Sequence, residues 1–389
     1  MAKLETDICL VAAVRTPIGK FGGSLASLTA PQLGVASAKA TIERSGIDPA
    51  AIDELIFGNA RQAGVGPNPA RQVAIRSGLR HEVPAYTVNQ ACGSGLRSIM
   101  NAADEIRLGQ AEIVLAGGME SMSNTPYLLP RVRWGMRMGN SELVDGMYRD
   151  GFFCPLAEEM MGATAETLAE RYAISREEQD AYAVSSQQKT EHAAAAGRFR
   201  EEIVPLAALD HDEHPRSGTD LGSLAKLPPV FRKNGTVHAG NSSGITDGAS
   251  SMLVASRAAV RSHGLEPMAR ILGYAQAGVD PKVMGIGPVP ATRRLLADLG
   301  IKLEDIDLIE LNEAFAAQVV ACDRELHFDF DRVNVHGGAI ALGHPIGCTG
   351  ARITTTLLHA LRAHDRTLGL ATLCISGGMG ISMIVERER

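Results

Sequence analysis

The sequence predicts an α/β protein in which two copies of one unit flank a stretch of different character. Three observations carry that prediction. Short apolar runs alternate with amphipathic helical patterns along the chain, as expected where helices and sheets pack in layers. The chain resembles itself at a nearly constant offset. The region between the repeats, from about Met122 to Gly244, has no counterpart in either copy.

The run Ile8 to Val14 follows Lys3, Glu5 and Asp7 and is ended by Arg15. It has the length of a strand and lacks the pattern of a secretory leader. Gly46-Ile47-Asp48-Pro49-Ala50-Ala51-Ile52-Asp53 aligns without gaps on Gly300-Ile301-Lys302-Leu303-Glu304-Asp305-Ile306-Asp307, an offset of 254. Leu96, Ile99, Met100, Ala103 and Ile106 recur at helical spacing, Gly109 stops that helix, and Ile113 to Ala116 reads as a strand. Ser94-Gly95-Leu96-Arg97 matches Thr349-Gly350-Ala351-Arg352 at an offset of 255, and Gly117-Gly118-Met119 matches Gly377-Gly378-Met379 at 260. In the middle stretch a polar helical run from Ser175 to Gly197 precedes a loop from Asp210 to Leu221. The domains expected are residues 1–121 plus 245–267, the insertion 122–244, and 268–389.

Composition narrows the function. Of 389 residues 45% are hydrophobic and 21% charged, ordinary for a globular protein. The net charge is -6 and no Lys/Arg run tracks a phosphate backbone, which argues against nucleic acid as partner. No run of about 20 apolar residues spans a membrane. The six cysteines are scattered without a C-x-x-C pair, so a disulfide or zinc framework is not expected and a cytoplasmic location is.

Four segments could carry chemistry. Asn89-Gln90-Ala91-Cys92-Gly93-Ser94-Gly95 runs from a strand into a helix. A helix N-terminus favours a thiolate and is expected to lower the Cys92 pKa below about 8.5. Alone, such a cysteine is more often a small buried residue. Gly337 to Gly350 is a glycine-dense loop holding His344-Pro345, and its histidine could serve as base for a cysteine. Its order fits neither a P-loop nor a dinucleotide fingerprint. Leu370 to Cys374 is a buried strand that turns through Ser376-Gly377-Gly378 into another strand, Ile381 to Val385. In Glu310-Leu311-Asn312-Glu313-Ala314-Phe315, the Asn312–Glu313 pair could hold a water or orient a histidine, or cap a helix. If the halves pack about a pseudo-two-fold, Cys92, the His344 loop and Cys374 share one crevice. His211-Asp212-Glu213-His214 has metal-ligand types but no partner motif, so no metal is expected. Lys189 to His192 and Arg198 to Glu202 read as solvated helix faces.

Together these segments resemble the thiolase family of acetyl-CoA acetyltransferases and 3-ketoacyl-CoA thiolases. The matching motifs are Asn89 to Gly95, Asn312-Glu313-Ala314-Phe315, Gly343-His344-Pro345-Ile346-Gly347 and Cys374-Ile375-Ser376-Gly377-Gly378-Met379-Gly380, with Gly240 to Ala249 and Val279 to Gly285 beside them. The resemblance spans essentially the whole chain. It implies a five-layer αβαβα fold of two similar halves, with the inserted loop domain binding coenzyme A.

It also implies that Cys92 takes the acyl group, that His344 activates it, and that Cys374 moves the proton at the α-carbon or the CoA sulfur. Asn312 would position a water in one oxyanion hole, and the backbone N–H groups of Cys92 and Ser376 would form the other. Arg216 would meet the nucleotide phosphates, with Ser223 and Phe231 near adenine and ribose and Ser243 on the pantetheine. Met161 and Met284 would line the acyl pocket, with Ala314 and Phe315 also in the substrate site. Coenzyme A is then substrate and product, with no permanently bound cofactor. The expected partners are a homodimer or homotetramer and β-oxidation enzymes.

Two departures from the family pattern stand out. Ser376 occupies a position where the family usually has glycine. Met160-Met161-Gly162 stands where short-chain members carry His-Met-Gly, and the Asp210 to Leu221 loop is shorter than theirs. The second departure leans towards a 3-ketoacyl-CoA thiolase of broad chain-length tolerance. A biosynthetic acetoacetyl-CoA thiolase is the alternative. A ketoacyl synthase lacks a second catalytic cysteine, and a non-catalytic acyl-CoA or lipid-binding relative would be expected to lose Cys92, His344 or Cys374.

Overall fold

The computed structural model describes residues 7–388, so Lys3 and Glu5 lie outside the described residues. The first half runs β1 (Ile8–Arg15), α1 (Ala30–Ser45), β2 (Glu54–Gly58), α2 (Pro69–Arg76), β3 (Ala85–Val88), α3 (Ser94–Arg107) and β4 (Ile113–Ser121), and β5 (Thr246–Ser256) completes it after the insertion. Within the insertion lie α4 (Met161–Arg171) and α5 (Arg176–Ala195). The second half runs β6 (Pro267–Gly278), α6 (Pro288–Leu299), β7 (Leu308–Leu311), α7 (Ala316–Leu326), α8 (Ile346–Ala363), β8 (Leu368–Ile375) and β9 (Met379–Arg387).

The strands form one mixed sheet in the order β7-β8-β9-β6-β1-β5-β4-β2-β3, with Gly19–Lys20 pairing to β5. Pairs β7–β8, β4–β2 and β2–β3 are parallel, and the rest of the path is antiparallel. The halves join where β1 meets β6, Leu10 opposite Ala269. Strand β4 is buried along its whole length because both faces are covered. Val114 and Ala116 point into one core with Leu96 and Ile99 of α3 and Ile353 and Leu357 of α8. Ile113 and Leu115 point into another, with Leu33 and Ile42 of α1 and Val73 of α2. A third core joins Leu295 of α6 and Val319 of α7 to Leu370 and Ile384. The strands of the first half and those of the second pack on α3 and α8 from either side, so the one sheet supplies two layers and the order is helix, sheet, helix, sheet, helix.

The first repeat is a structural one. Gly46 and Gly300 end α1 and α6 at φ 68° and 67°, the left-handed region that glycine enters without penalty. Asp53 accepts from the N–H groups of Glu112 and Ile113 at 2.8 and 2.9 Å, and Asp307 from those of Thr367 and Leu368 at 2.9 and 2.8 Å. The second repeat is the crossing of the two middle helices. A Cβ on Gly95 would lie 2.7 Å from the Ala351 nitrogen, and one on Gly350 would collide with the Leu96 nitrogen. Glycine at both positions lets the backbones touch.

The third match does not correspond. Strand β4 is the first-half counterpart of β8, so Gly117 and Gly118 sit inside a strand, whereas Gly377 and Gly378 form a turn with φ 88°. The dipeptide recurs for different reasons: close approach of Gly118 to the Gly347 carbonyl in one half, left-handed backbone in the other.

Residues 122–244 pack α4 and α5 against α7 of the second half, form two short hairpins, and add no strand to the main sheet among the described residues. The reading of Arg198 to Glu202 as a solvated face is corrected: Glu202 is fully buried and holds the Arg15 Nε at 2.7 Å. Arg15, also fully buried, forks onto both oxygens of Asp212 at 2.6 and 2.8 Å. A buried guanidinium requires such counter-charges. Lys189 is likewise drawn inward, donating to the Phe330 and Val333 carbonyls at 2.8 and 2.9 Å.

Candidate active site

Cys92 sits at the turn between β3 and α3. The preceding Ala91 has φ 46°, a strained conformation for a residue with a side chain. The turn is braced by Ser94, whose hydroxyl donates to the Ala91 carbonyl at 2.6 Å and accepts the Gln90 N–H at 2.9 Å. A Cβ on Gly93 would press on Ile375 at 2.5 Å, so that glycine lets the Cys92 turn lie against the end of β8, where Cys374 and Ser376 stand.

The expected depression of the Cys92 pKa is not what the structure gives. Cys92 is 5% exposed, and burial pushes the thiol up, against the pull of the Ser376 N–H, the Arg61 charge and its own N–H. Desolvation outweighs the helix terminus. Burial and the neighbouring Cys92 push Cys374 up further. Both are thiols that need a base.

His344 follows a short helical turn, Ala339–Leu342, and precedes α8. Gly343 has φ 101° and a Cβ there would strike Thr246. The His344 Nδ1 lies 2.6 Å from the Thr349 hydroxyl, which donates to the Pro345 carbonyl at 3.0 Å. That hydroxyl therefore accepts from Nδ1–H, an assignment from the hydrogen-bond network, and Nε2 keeps its lone pair. Nε2 is buried without a partner. Burial, with Arg352 and Arg61 nearby, lowers the His344 pKa to about 3, so the ring is neutral at ordinary pH.

Cys92, His344 and Cys374 line one cavity of about 500 Å³. Of the other expected residues, Met161, Arg216, Phe231, Ser243, Met284, Ala314 and Phe315 line the same cavity. Ser223 does not; it lines an adjoining cavity of about 280 Å³ that shares Arg216, and its hydroxyl donates to the Asp220 carbonyl at 2.7 Å. Asn312 is not among the residues that line the cavity; it is 1% exposed, with both side-chain polar atoms unpartnered. Such atoms call for a partner, in keeping with a positioned water. The paired role for Glu313 is corrected: its carboxylate is taken up by Tyr182, Ser186, Asn334 and the Ile340 N–H at 2.7–3.0 Å. Ser376 is free of the left-handed backbone that Gly377 and Gly378 adopt, so a side chain there carries no left-handed backbone penalty.

Sequence reasoning missed several residues. Glu120, fully buried, accepts from Asn59, from the N–H groups of Ala60 and Arg61, and from the Gly347 N–H at 2.8 Å, tying the His344 loop to the first half. Its signal was a carboxylate at the end of an otherwise apolar strand. Tyr148 and Phe152 also line the cavity and stack edge-on at 5.8 Å; Met160 and His214, noted in the sequence for other reasons, line it too. Among the described residues no group of three or more His, Cys, Asp or Glu could hold a metal, and no helix is long and apolar enough to cross a membrane.

Comparisons with known proteins agree with this geometry. Residues 8–258 match the family "Thiolase, N-terminal domain" and residues 265–387 "Thiolase, C-terminal domain". An acetyl-CoA acetyltransferase of Pseudomonas aeruginosa is 52% identical over 98% of this chain and 100% of its own length, and one of Escherichia coli K12 is 52% identical over 97% and 98%. Among solved structures, the Bacillus anthracis acetyl-CoA acetyltransferase is 44% identical with a TM-score of 0.96, covering 98% of this chain and 99% of that one. Human mitochondrial 3-ketoacyl-CoA thiolase in complex with CoA is 44% identical with a TM-score of 0.97, both chains covered in full. With two family domains side by side over nearly its whole length, a duplicated five-layer fold and two cysteines and a histidine on one cavity, the chain belongs to the thiolase family of acyltransferases.

Proposed function

We propose that this chain is an acetyl-CoA C-acetyltransferase that joins two acetyl groups into acetoacetyl-CoA and catalyses the reverse thiolysis. The convergence of Cys92, His344 and Cys374 on one cavity carries the catalytic reading. His344 Nε2 takes the Cys92 proton, and the thiolate attacks the thioester carbonyl. The C–S bond to CoA breaks, and Cys374 gives its proton to the departing sulfur. As a thiolate, Cys374 then removes an α-proton from the second acetyl-CoA. The carbanion attacks the acetyl group on Cys92, a C–C bond forms, and the Cys92 thiolate leaves.

The N–H groups of Cys92 and Ser376 face one oxyanion, and His344 with an Asn312-held water faces the other. Separate donor sets suit charge that develops in two places. Coenzyme A lies along the two adjoining cavities, with Arg216 at its phosphates and Ser243 and Phe231 beside the arm. Residues 122–244 act as a domain that carries much of this surface, between halves formed by 1–121 plus 245–267 and by 268–389.

The lean towards broad chain length gives way here to the short-chain reading. Relatives about half identical over their whole length bear the name acetyl-CoA acetyltransferase. Physical support comes from the wall around Cys374, where Cys154, Ala157, Met161, Met284 and Ala314 pack into one buried apolar cluster, suited to a short acyl group. Met160 in the cavity lining favours the broader specificity as the second reading. Thiolysis of acetoacetyl-CoA and 3-ketohexadecanoyl-CoA by wild type and Cys92→Ala separates the two. Turnover of acetoacetyl-CoA alone, abolished in the variant, is expected. Comparable turnover of both substrates overturns the short-chain reading, and activity of the variant overturns the nucleophile.

A further inference from the structure

His214 stands where the two cavities meet, lining both together with Arg216. Its Nδ1 lies 2.7 Å from the Ala341 carbonyl oxygen, an atom that can only accept. Nδ1 therefore carries the proton, and in the neutral ring Nε2 presents a lone pair. Burial lowers the ring's affinity for a second proton, and the nearby Arg216 charge lowers it further. The ring lies over Gly244, where any Cβ would collide with it. The Gly244 carbonyl in turn accepts the His344 N–H at 3.0 Å.

The loop around it is fixed from behind. Asp212 forks onto Arg15, and Glu213 accepts the N–H groups of Lys20 and Ser24 at 3.1 Å. Among the described residues Nε2 has no hydrogen-bond partner. A rigidly held acceptor at the junction of two cavities complements a donor and repels carboxylate and phosphate oxygens. Between a thioester at Cys92 and phosphates at Arg216, the only part of coenzyme A is the pantetheine arm. Beyond its cysteamine end that arm carries an amide N–H and a hydroxyl.

We propose that His214 is a binding residue for coenzyme A, its Nε2 accepting a hydrogen bond from the amide N–H or hydroxyl of the pantothenate part of the arm. This rests on the placement of coenzyme A proposed above. The test is steady-state kinetics of His214→Leu and His214→Gln with CoA thioesters and with S-acetyl-N-acetylcysteamine, which lacks the pantothenate part. His214→Leu removes the acceptor and is expected to raise KM for CoA about tenfold, the scale of one lost hydrogen bond, with kcat within about twofold. Activity on the truncated thioester stays unchanged, which also reports an intact fold. His214→Gln, whose side-chain oxygen accepts, recovers most of the KM.

An unchanged KM, or an equal loss on both substrates in both variants, overturns the proposal. Arg216→Ala separates the two levels. If it raises KM for CoA while His214→Leu does not, only the His214 assignment falls. If neither raises it, the placement of coenzyme A falls with it.

Discussion

The contact that fits His344 for the proposed role of base is a single hydroxyl. Thr349 accepts from Nδ1–H because its own proton is spent on the Pro345 carbonyl, which leaves the Nε2 lone pair towards the cavity. Thr349→Val should leave the fold intact and lower kcat in acetoacetyl-CoA thiolysis at least tenfold, the low side of what a positioned base contributes. Thr349→Ser should restore it, and an undiminished kcat would show that the tautomer is set otherwise. The histidine and both cysteines were legible in the sequence because each sits in a glycine-rich segment. Thr349 was legible only as part of a repeat, since its role depends on a turn that brings it back over His344. The direction of the Cys92 pKa was misjudged because sequence reveals a helix start but not the burial that outweighs it.

Elements meet at two places that make quantitative predictions. Where α3 crosses α8, a Cβ on Gly350 would collide with the Leu96 nitrogen. Gly350→Ala is expected to cost about 3 kcal/mol, the upper range for overpacking a core, read as a loss of denaturation midpoint. The second place is the end of α8, where His364 Nε2 meets His336 Nε2 at 3.1 Å. Burial, together with the charges of His364, Arg198 and His359, lowers the His336 pKa to about 4. A base whose folded pKa is depressed contributes stability above its unfolded value near 6.5, lost as pH falls through about 4. The shift is worth about 3 kcal/mol. The melting temperature should fall across that window, and His336→Asn should flatten the fall; an identical acid limb in the variant would assign it to other groups. Helix α3 was readable from its apolar spacing and the start of α8 from the repeat, whereas the His336–His364 contact joins residues 28 apart that no periodicity connects.

At the scale of the whole molecule, the insertion is tied to the sheet by buried charge. Arg15 at the end of β1 holds Glu202 and Asp212, all three almost fully buried in their side chains. Arg15→Met leaves two carboxylates buried without their counter-charge and should destabilise by about 3–5 kcal/mol, measured by denaturant unfolding. A loss below about 1 kcal/mol would mean that water reaches the site. Glu120 fastens the His344 loop to the first half in the same way, so the site is assembled across pieces distant in sequence.

By itself the sequence determined the α/β class, the duplication and the glycine-rich segments in which the proposed catalytic residues lie. Those features are written in local signals: apolar period, glycine at turns, and reactive side chains within recurring segments. Only the tertiary structure decided which repeats are real, how far burial raises the cysteines, that Glu202 is a buried counter-ion and Glu313 scaffold, and that His214 stands between two cavities. Each of these depends on what is packed against a residue from elsewhere in the chain. Desolvation and close contact are set by those distant neighbours, and the residue's own segment does not encode them.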